Sequence, residues 1–228
     1  MRQIWHRLLF AHWPIAAERL RRFVPSPLRL DEREGSAWIG VLPFHATGVR
    51  LRGLPPLPLA NAFAELNVRT YVELDGKPGV FFFSLDATLL PAVLGATALY
   101  RLPYYWADID VKREEEAGGT TRFRCVRRRA NGCRFEAAYR PVSEVFQAEP
   151  GSREYWLTER YCMYAHKNGK LYRCEILHEP WALQRAAADI RANTMLSPVG
   201  LVLPANVEPL LHYAERQEAL IWGLERLR

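Results

Sequence analysis

The 228-residue chain carries 31 Lys plus Arg against 25 Asp plus Glu, a formal net charge of +6, with 49% hydrophobic and 25% charged residues. That balance supplies a real core and excludes a disordered or low-complexity chain. The positive charge is almost all arginine: the lysines are Lys77, Lys112, Lys167 and Lys170, each in a turn or a charged stretch, which argues against the desolvated amine that imine chemistry needs.

In chain order, residues 8–13 read as a strand stopped by Pro14, and 16–23 as a short helix with Leu20 and Phe23 on one face, ended at Val24-Pro25. Residues 28–30 and 37–44 flank the polar turn 31–35 as a hairpin, and the second strand is apolar on both faces, which predicts a central position. The Pro-dense tract 54–59 reads as a surface connection. Residues 67–72 and 80–85 predict another hairpin around Asp75-Gly76-Lys77-Pro78-Gly79, and Pro91 opens a helix running to about Tyr100. Residues 80–99 are apolar enough to suggest a membrane span, yet Ser84, Asp86 and Pro91 interrupt them, so a strand followed by a helix fits better.

Residues 105–113, 120–128 and 133–139 follow as consecutive antiparallel strands. Ser152 caps a short helix through Thr158. Residues 160–166 and 171–178 form a hairpin around Asn168-Gly169, Asn193 caps a helical turn at 194–196, and a late strand runs through 219–227. No linker or repeat divides the chain. The expectation is one domain over residues 1–228, of α+β class, built on an antiparallel, β-rich, barrel-like sheet with a few short helices.

Arg127, Arg128 and Arg129 form the densest basic run, but Asn131-Gly132 follow as a hairpin turn with a solvated tip, and no nucleic-acid module or basic helix accompanies them. No nucleic-acid partner is expected. Cys125, Cys133, Cys162 and Cys174 lack C-x-x-C spacing. The turn at 131–132 sets Cys133 opposite Ala130 and Cys125 opposite Ala138, and the turn at 168–169 sets Cys162 opposite Glu175 and Cys174 opposite Met163. Reduced thiols in a reducing compartment follow. With residues 8–11 too short for a signal peptide, a cytoplasmic protein with no membrane partner is expected. The six histidines show no metal-ligand spacing, and no G-x-S-x-G elbow, P-loop or G-x-G-x-x-G is present. Neither a metal nor another cofactor is expected.

Chemistry concentrates in Glu65-Leu66-Asn67-Val68-Arg69-Thr70-Tyr71-Val72. Period two places Glu65, Asn67, Arg69 and Tyr71 on one face and Leu66, Val68 and Val72 on the other. If the turn pairs Arg69 with Ser84, Asn67 falls opposite Asp86, and a carboxylate, an amide, a hydroxyl and a guanidinium share one surface. A slip of one residue would turn Phe83 and Leu85 there instead. One reading is a pocket floor on which Arg69, Asn67, Ser84 and Asp86 bind an anion while Glu65 or Asp86 acts as acid or base. The other is a structural ion pair of Arg69 with Glu65 or Asp86 on a solvated face. Extending the register of the 160–178 hairpin brings Glu159 opposite His178, as an acid/base pair or a structural histidine. His12 is open to the same two readings.

Phe10-Ala11-His12-Trp13-Pro14, the Glu65 to Val72 stretch, Phe82-Phe83-Ser84-Leu85-Asp86-Ala87, Leu102-Pro103-Tyr104-Tyr105 and Leu157-Thr158-Glu159-Arg160-Tyr161 together resemble, over nearly the full length, the YqjF-like family of uncharacterised bacterial proteins. More distantly, a strand with Glu65, a turn at Gly76 to Gly79, a helix and a strand opening after Pro103 are similar in order to the acetoacetate decarboxylases. That resemblance implies a cone-like β-barrel around a cavity. Two consecutive lysines follow the proline in those enzymes, one forming the imine and the other lowering its pKa. Tyr104 and Tyr105 stand here instead, while Glu65 matches an acidic residue. The expectation is a pocket lined by Glu65, Asn67, Arg69, Tyr104 and Tyr105, working without a lysine Schiff base. Three functions stay open: an enzyme on a small, anionic carbonyl or carboxylate metabolite with Glu65, Tyr104 and Tyr105 as catalytic groups, a non-catalytic binder of such a metabolite, or a scaffold whose polar face serves the fold or a homo-oligomer.

Overall fold

The computed structural model describes residues 1–50, 53, 61–89, 100–114, 119–130, 132–204 and 206–227. Its strands are β1 (Arg2–Ile15), β2 (Arg29–Leu30), β3 (Ala37–Arg50), β4 (Ala62–Leu74), β5 (Lys77–Ala87), β6 (Tyr104–Arg113) and β7 (Thr121–Arg127). They continue as β8 (Arg134–Pro141), β9 (Cys162–Lys167), β10 (Lys170–His178), β11 (Gln184–Asn193), β12 (Leu210–Ile221) and β13 (Glu225–Arg226). Among the described residues, the short helices α1 (Ala17–Arg21) and α2 (Arg153–Thr158) and a 3-10 turn at Ser197–Val199 accompany them. Ser152 caps α2 as expected, its Oγ accepting the Tyr155 N–H at 3.1 Å. No helix among the described residues is long and apolar enough to cross a membrane.

Nine strands close into a barrel in the order β5-β6-β7-β8-β11-β12-β1-β3-β4 and back to β5. Every pairing is antiparallel except β5–β6 and β5–β9. Five of the nine, β12-β1-β3-β4-β5, are bridged a second time on their other side, where β9 joins β5 and β10 joins β12. These five strands are therefore a wall between two interiors. Strands buried on both faces must be apolar on both, as the run from Ala37 to Phe44 already suggested. Along β4, Leu66, Val68 and Val72 join the nine-strand core with Phe123, Phe135 and Tyr139, while Glu65, Asn67 and Arg69 face the second interior.

Several elements differ from the sequence expectation. Strand β1 runs through Pro14, which lies beyond His12↔Leu210, the last pair with β12, so on that side its missing N–H costs no ladder bond. The segment at 28–30 pairs with β4 rather than with β3. The turn after β4 is only Asp75 and Gly76, both with positive φ (51° and 76°), a geometry that suits a two-residue hairpin and leaves Lys77, Pro78 and Gly79 in the strand. The loop between β7 and β8 is wider than two residues: the Arg127 N–H reaches the Cys133 carbonyl at 3.0 Å, and Cys125 faces Phe135, not Ala138. Asn193 ends β11, a strand absent from the expectation, instead of capping a helix. The late strand begins at Leu210 and breaks before Glu225. Around the turn at 168–169, Cys162 faces Glu175 and Cys174 faces Met163, as expected, and all four cysteines are buried and free. The tract at 54–59 and nearly all of the helix expected from Pro91 to Tyr100 lie outside the described residues.

One buried ion pair ties β5 to β7. The Arg127 guanidinium donates Nε to Asp86 Oδ1 at 2.6 Å and Nη2 to Asp86 Oδ2 at 2.8 Å, with side chains 4% and 0% exposed. Removing one partner strands the other in the core. Asp86→Ala should therefore lose about 3–5 kcal/mol in urea unfolding, with a good part recovered in the Asp86→Ala/Arg127→Leu double variant. A loss below about 1 kcal/mol would refute this role.

Candidate functional site

The second interior holds a cavity of about 280 Å³. Alternation along β4 delivers Glu65, Asn67 and Arg69 into it, and Tyr104 enters from the start of β6, where Leu85 and Tyr104 are parallel partners. The Tyr104 hydroxyl donates to Glu65 Oε2 at 3.0 Å. Glu65 is 4% exposed. Burial pushes its carboxyl up to about 8, against the opposing pull of the Tyr104 hydrogen bond and with help from the Asp86 charge. Burial, then the neighbouring Glu65, drive the Tyr104 phenol well above its ordinary value. Both groups hold their protons at neutral pH.

Arg69 sits four residues along the same face. Its Nη2 reaches the Leu157 carbonyl at 3.4 Å, its Nε is buried without a partner, and it forms no ion pair with a described carboxylate. The Tyr71 and Phe10 rings lie 5.6 and 5.9 Å from its guanidinium carbon. Arg160, which follows α2, also lines the cavity. It donates Nη1 to Asp31 at 2.6 Å and Nε to the Trp156 carbonyl at 2.6 Å, leaving Nη2 buried and unpartnered. Trp181 Nε1 and Asn67 Oδ1, from two further lining residues, are likewise buried without protein partners. Next to this cluster Tyr71 shares a 2.7 Å hydrogen bond with His12 Nε2. Burial, then the Arg69 charge, hold the His12 imidazole well below its ordinary value.

Three expected site residues lie elsewhere. The pairing of Arg69 with Ser84 and of Asn67 with Asp86 does not occur: Arg69 faces Phe82 and Asn67 faces Leu85, with a register shift between Val68 and Arg69. The extra residue, Phe83, is a β-bulge that turns Ser84 and Asp86 to the nine-strand side, where Asp86 meets Arg127. Tyr105 follows Tyr104 on a strand and so points the other way. The residue is 40% exposed, and its ring lies 4.0 Å from the Arg127 guanidinium carbon. None of the four lysines lines the cavity.

Glu159 and His178 form no direct bond. Glu159 accepts the Tyr161 hydroxyl at 2.5 Å and the Trp181 N–H at 2.9 Å. His178 lines the cavity, stacks on Tyr161 at 4.5 Å and bonds the Glu179 carbonyl through Nδ1 at 2.8 Å. Burial lowers its pKa. Sequence reasoning assigned no role to Arg160 or Trp181. Arg160 lies inside a quoted motif, but only the fold brings it beside Arg69. No group of three His, Cys, Asp or Glu among the described residues could hold a metal ion.

Residues 2–218 match the family DUF2071, described as an uncharacterized conserved protein. The chain belongs to this family. It is 49% identical over 226 residues to the uncharacterized protein YqjF of Bacillus subtilis (strain 168), covering 99% of this chain and 92% of that one. Among solved structures, the enduracididine biosynthesis enzyme MppR complexed with pyruvate superposes with a TM-score of 0.69 at 13% identity, covering 100% of this chain and 90% of that one. An acetoacetate decarboxylase-like enzyme from Sphingomonas wittichii RW1 gives 0.66 at 13%, with coverages of 100% and 92%. The acetoacetate decarboxylase of Legionella pneumophila gives 0.61 at 12%, with 100% and 87%. At such identities the likeness establishes the fold: this DUF2071 chain has an acetoacetate decarboxylase-like barrel.

The buried Glu65 makes stability pH-dependent. Its folded pKa, about 8, exceeds the ordinary 4.5, so between those values the folded state binds more protons than the unfolded one and stability falls as pH rises. Glu65→Gln should match the wild type near pH 4.5 and exceed it by on the order of a few kcal/mol above pH 8. Urea unfolding across that range checks this, and parallel curves for the two proteins would contradict it.

Proposed function

We propose that the cavity binds a small organic carboxylate, with Arg69 as the anion clamp and the protonated Glu65–Tyr104 pair offering a proton or hydrogen bond to a carbonyl oxygen. The observation that carries this reading is the Arg69 guanidinium, half-buried at the cavity wall with no ion-pair partner among the described carboxylates. A partly desolvated cation lacking a counter-ion is costly, and a bound carboxylate relieves that cost through charge-assisted hydrogen bonds. Arg69 Nε, Arg160 Nη2 and Trp181 Nε1 supply further donors without protein acceptors. Protonated Glu65 does not repel an anion and meets it as an acid. The pyruvate named with MppR and the acetoacetate of the decarboxylases are small oxo acids, which fits the same chemistry.

The reaction class best matched to these groups is non-covalent enolisation: the protonated Glu65–Tyr104 pair delivers a proton to a carbonyl oxygen while the C–H proton of the adjacent carbon passes to solvent water, and the reverse step returns a solvent proton to that carbon. With no lysine on the cavity wall, an imine route has no nucleophile. A binding protein without turnover is the second reading, favoured by the bond that Glu65 and Tyr104 already make to each other.

Calorimetry with a panel of small carboxylates, 2-oxo and 3-oxo acids among them, tests the proposal. Arg69→Leu should weaken binding about 10–100-fold with the fold intact by circular dichroism. Glu65→Gln should keep affinity within about threefold but abolish solvent-deuterium exchange next to the ligand carbonyl, followed by NMR. Unchanged affinity in the Arg69 variant overturns the clamp, and absence of exchange in the wild type selects the binding reading.

A further inference from the structure

We infer that the acid taken by this cavity is amphipathic, a carboxylate with an extended apolar body instead of a three- or four-carbon oxo acid. This rests on the carboxylate reading above and adds the size and polarity of the ligand. A space of about 280 Å³ is on the order of twenty times the roughly 10–15 Å³ that admits one water. A three-carbon acid engaged at Arg69 would leave most of it empty.

What surrounds the remainder is apolar. Arg69 stands opposite Phe82 across β4 and β5, and from there the wall continues through Val80 beside Met163 and Ile176 beside Ile221. Leu102 completes one contiguous cluster with these five side chains, all of them on the cavity. The polar lining of β4 adjoins this cluster along one side: Glu65 bonds Tyr104, which packs against it, and Arg69 lies near Arg160. Water in the apolar arm would find few hydrogen-bond partners, and such a space favours an apolar occupant. The clamp lies at the head of the arm: a carboxylate held by Arg69 directs its carbon chain along Phe82 toward Met163 and Ile221.

The hydrophobic gain per methylene corresponds to roughly a three- to fourfold gain in affinity. Calorimetry on the unaltered chain with straight-chain 2-oxo acids of increasing length should show that step repeated over several carbons and then lost once the arm is full. Arg69→Leu should weaken every member of the series. Ile176→Trp, or Ile221→Trp if the first fails to fold, should weaken the long acids at least about tenfold more than the short ones, because added bulk in a packed site displaces ligand. Affinity that is flat or falls with chain length while still depending on Arg69 overturns the amphipathic ligand and leaves the carboxylate reading standing. Absence of Arg69-dependent binding for every acid overturns both.

Discussion

A strand with an interior on each side has no solvent face on which to place a charge. That constraint governs the five-strand wall. Glu65, Asn67, Arg69 and Asp86 are enclosed because of the topology around them, and nothing in their own local sequence requires it. Enclosed ionisable groups must be paired, neutralised or left in need of a partner. The wall contains all three outcomes: Asp86 is paired with Arg127, Glu65 is neutralised by burial and bonded to Tyr104, and Arg69 has no described carboxylate beside it.

The bulge at Phe83 is what separates these charges. Carried through without it, the register at Arg69↔Phe82 would set Glu65 opposite Asp86 and Asn67 opposite Ser84 on the cavity side. A second acid would then stand within the cavity, and an anion there would be repelled. One extra residue on β5 sends Asp86 to the other interior. Glu65 is itself too far along β4 to answer Arg69: four residues at about 3.3 Å each separate their backbones by roughly 13 Å. The cation is isolated by the backbone of two strands.

Period-two alternation was enough to read the faces of β4 from the sequence, because the strand is regular from Glu65 to Val72. The pairing across to β5 was not legible. A two-residue turn at Asp75-Gly76 and a bulge shift the register in succession, and neither has a signature in a run such as Phe81-Phe82-Phe83. Strand β11 was missed for a different reason: Gln184-Arg-Ala-Ala-Ala-Asp-Ile-Arg-Ala-Asn is rich in residues of low strand propensity and is held in place by β8 and β12. The pairing of β2 with β4, and the approach of Arg160 and Trp181 to the cavity, depend on contacts far apart in sequence that no local pattern encodes.

The two tyrosines after Pro103 show how strand geometry limits a pair of neighbours. Adjacent residues on β6 face opposite sides, so Tyr104 enters the cavity while Tyr105 stays partly exposed with its ring against the Arg127 guanidinium. Of the two, only Tyr104 takes part in the charge balance of the cavity. Around Arg69 that balance is simple: Arg160 is paired with Asp31, burial disfavours the charged forms of His12 and His178, and Glu65 and Tyr104 are protonated at neutral pH. Among the described residues beside it, that leaves the Arg69 guanidinium without a counter-ion, while Arg50, at the end of β3, also lines the cavity. A carboxylate of the proposed kind would supply that counter-ion through charge-assisted hydrogen bonds.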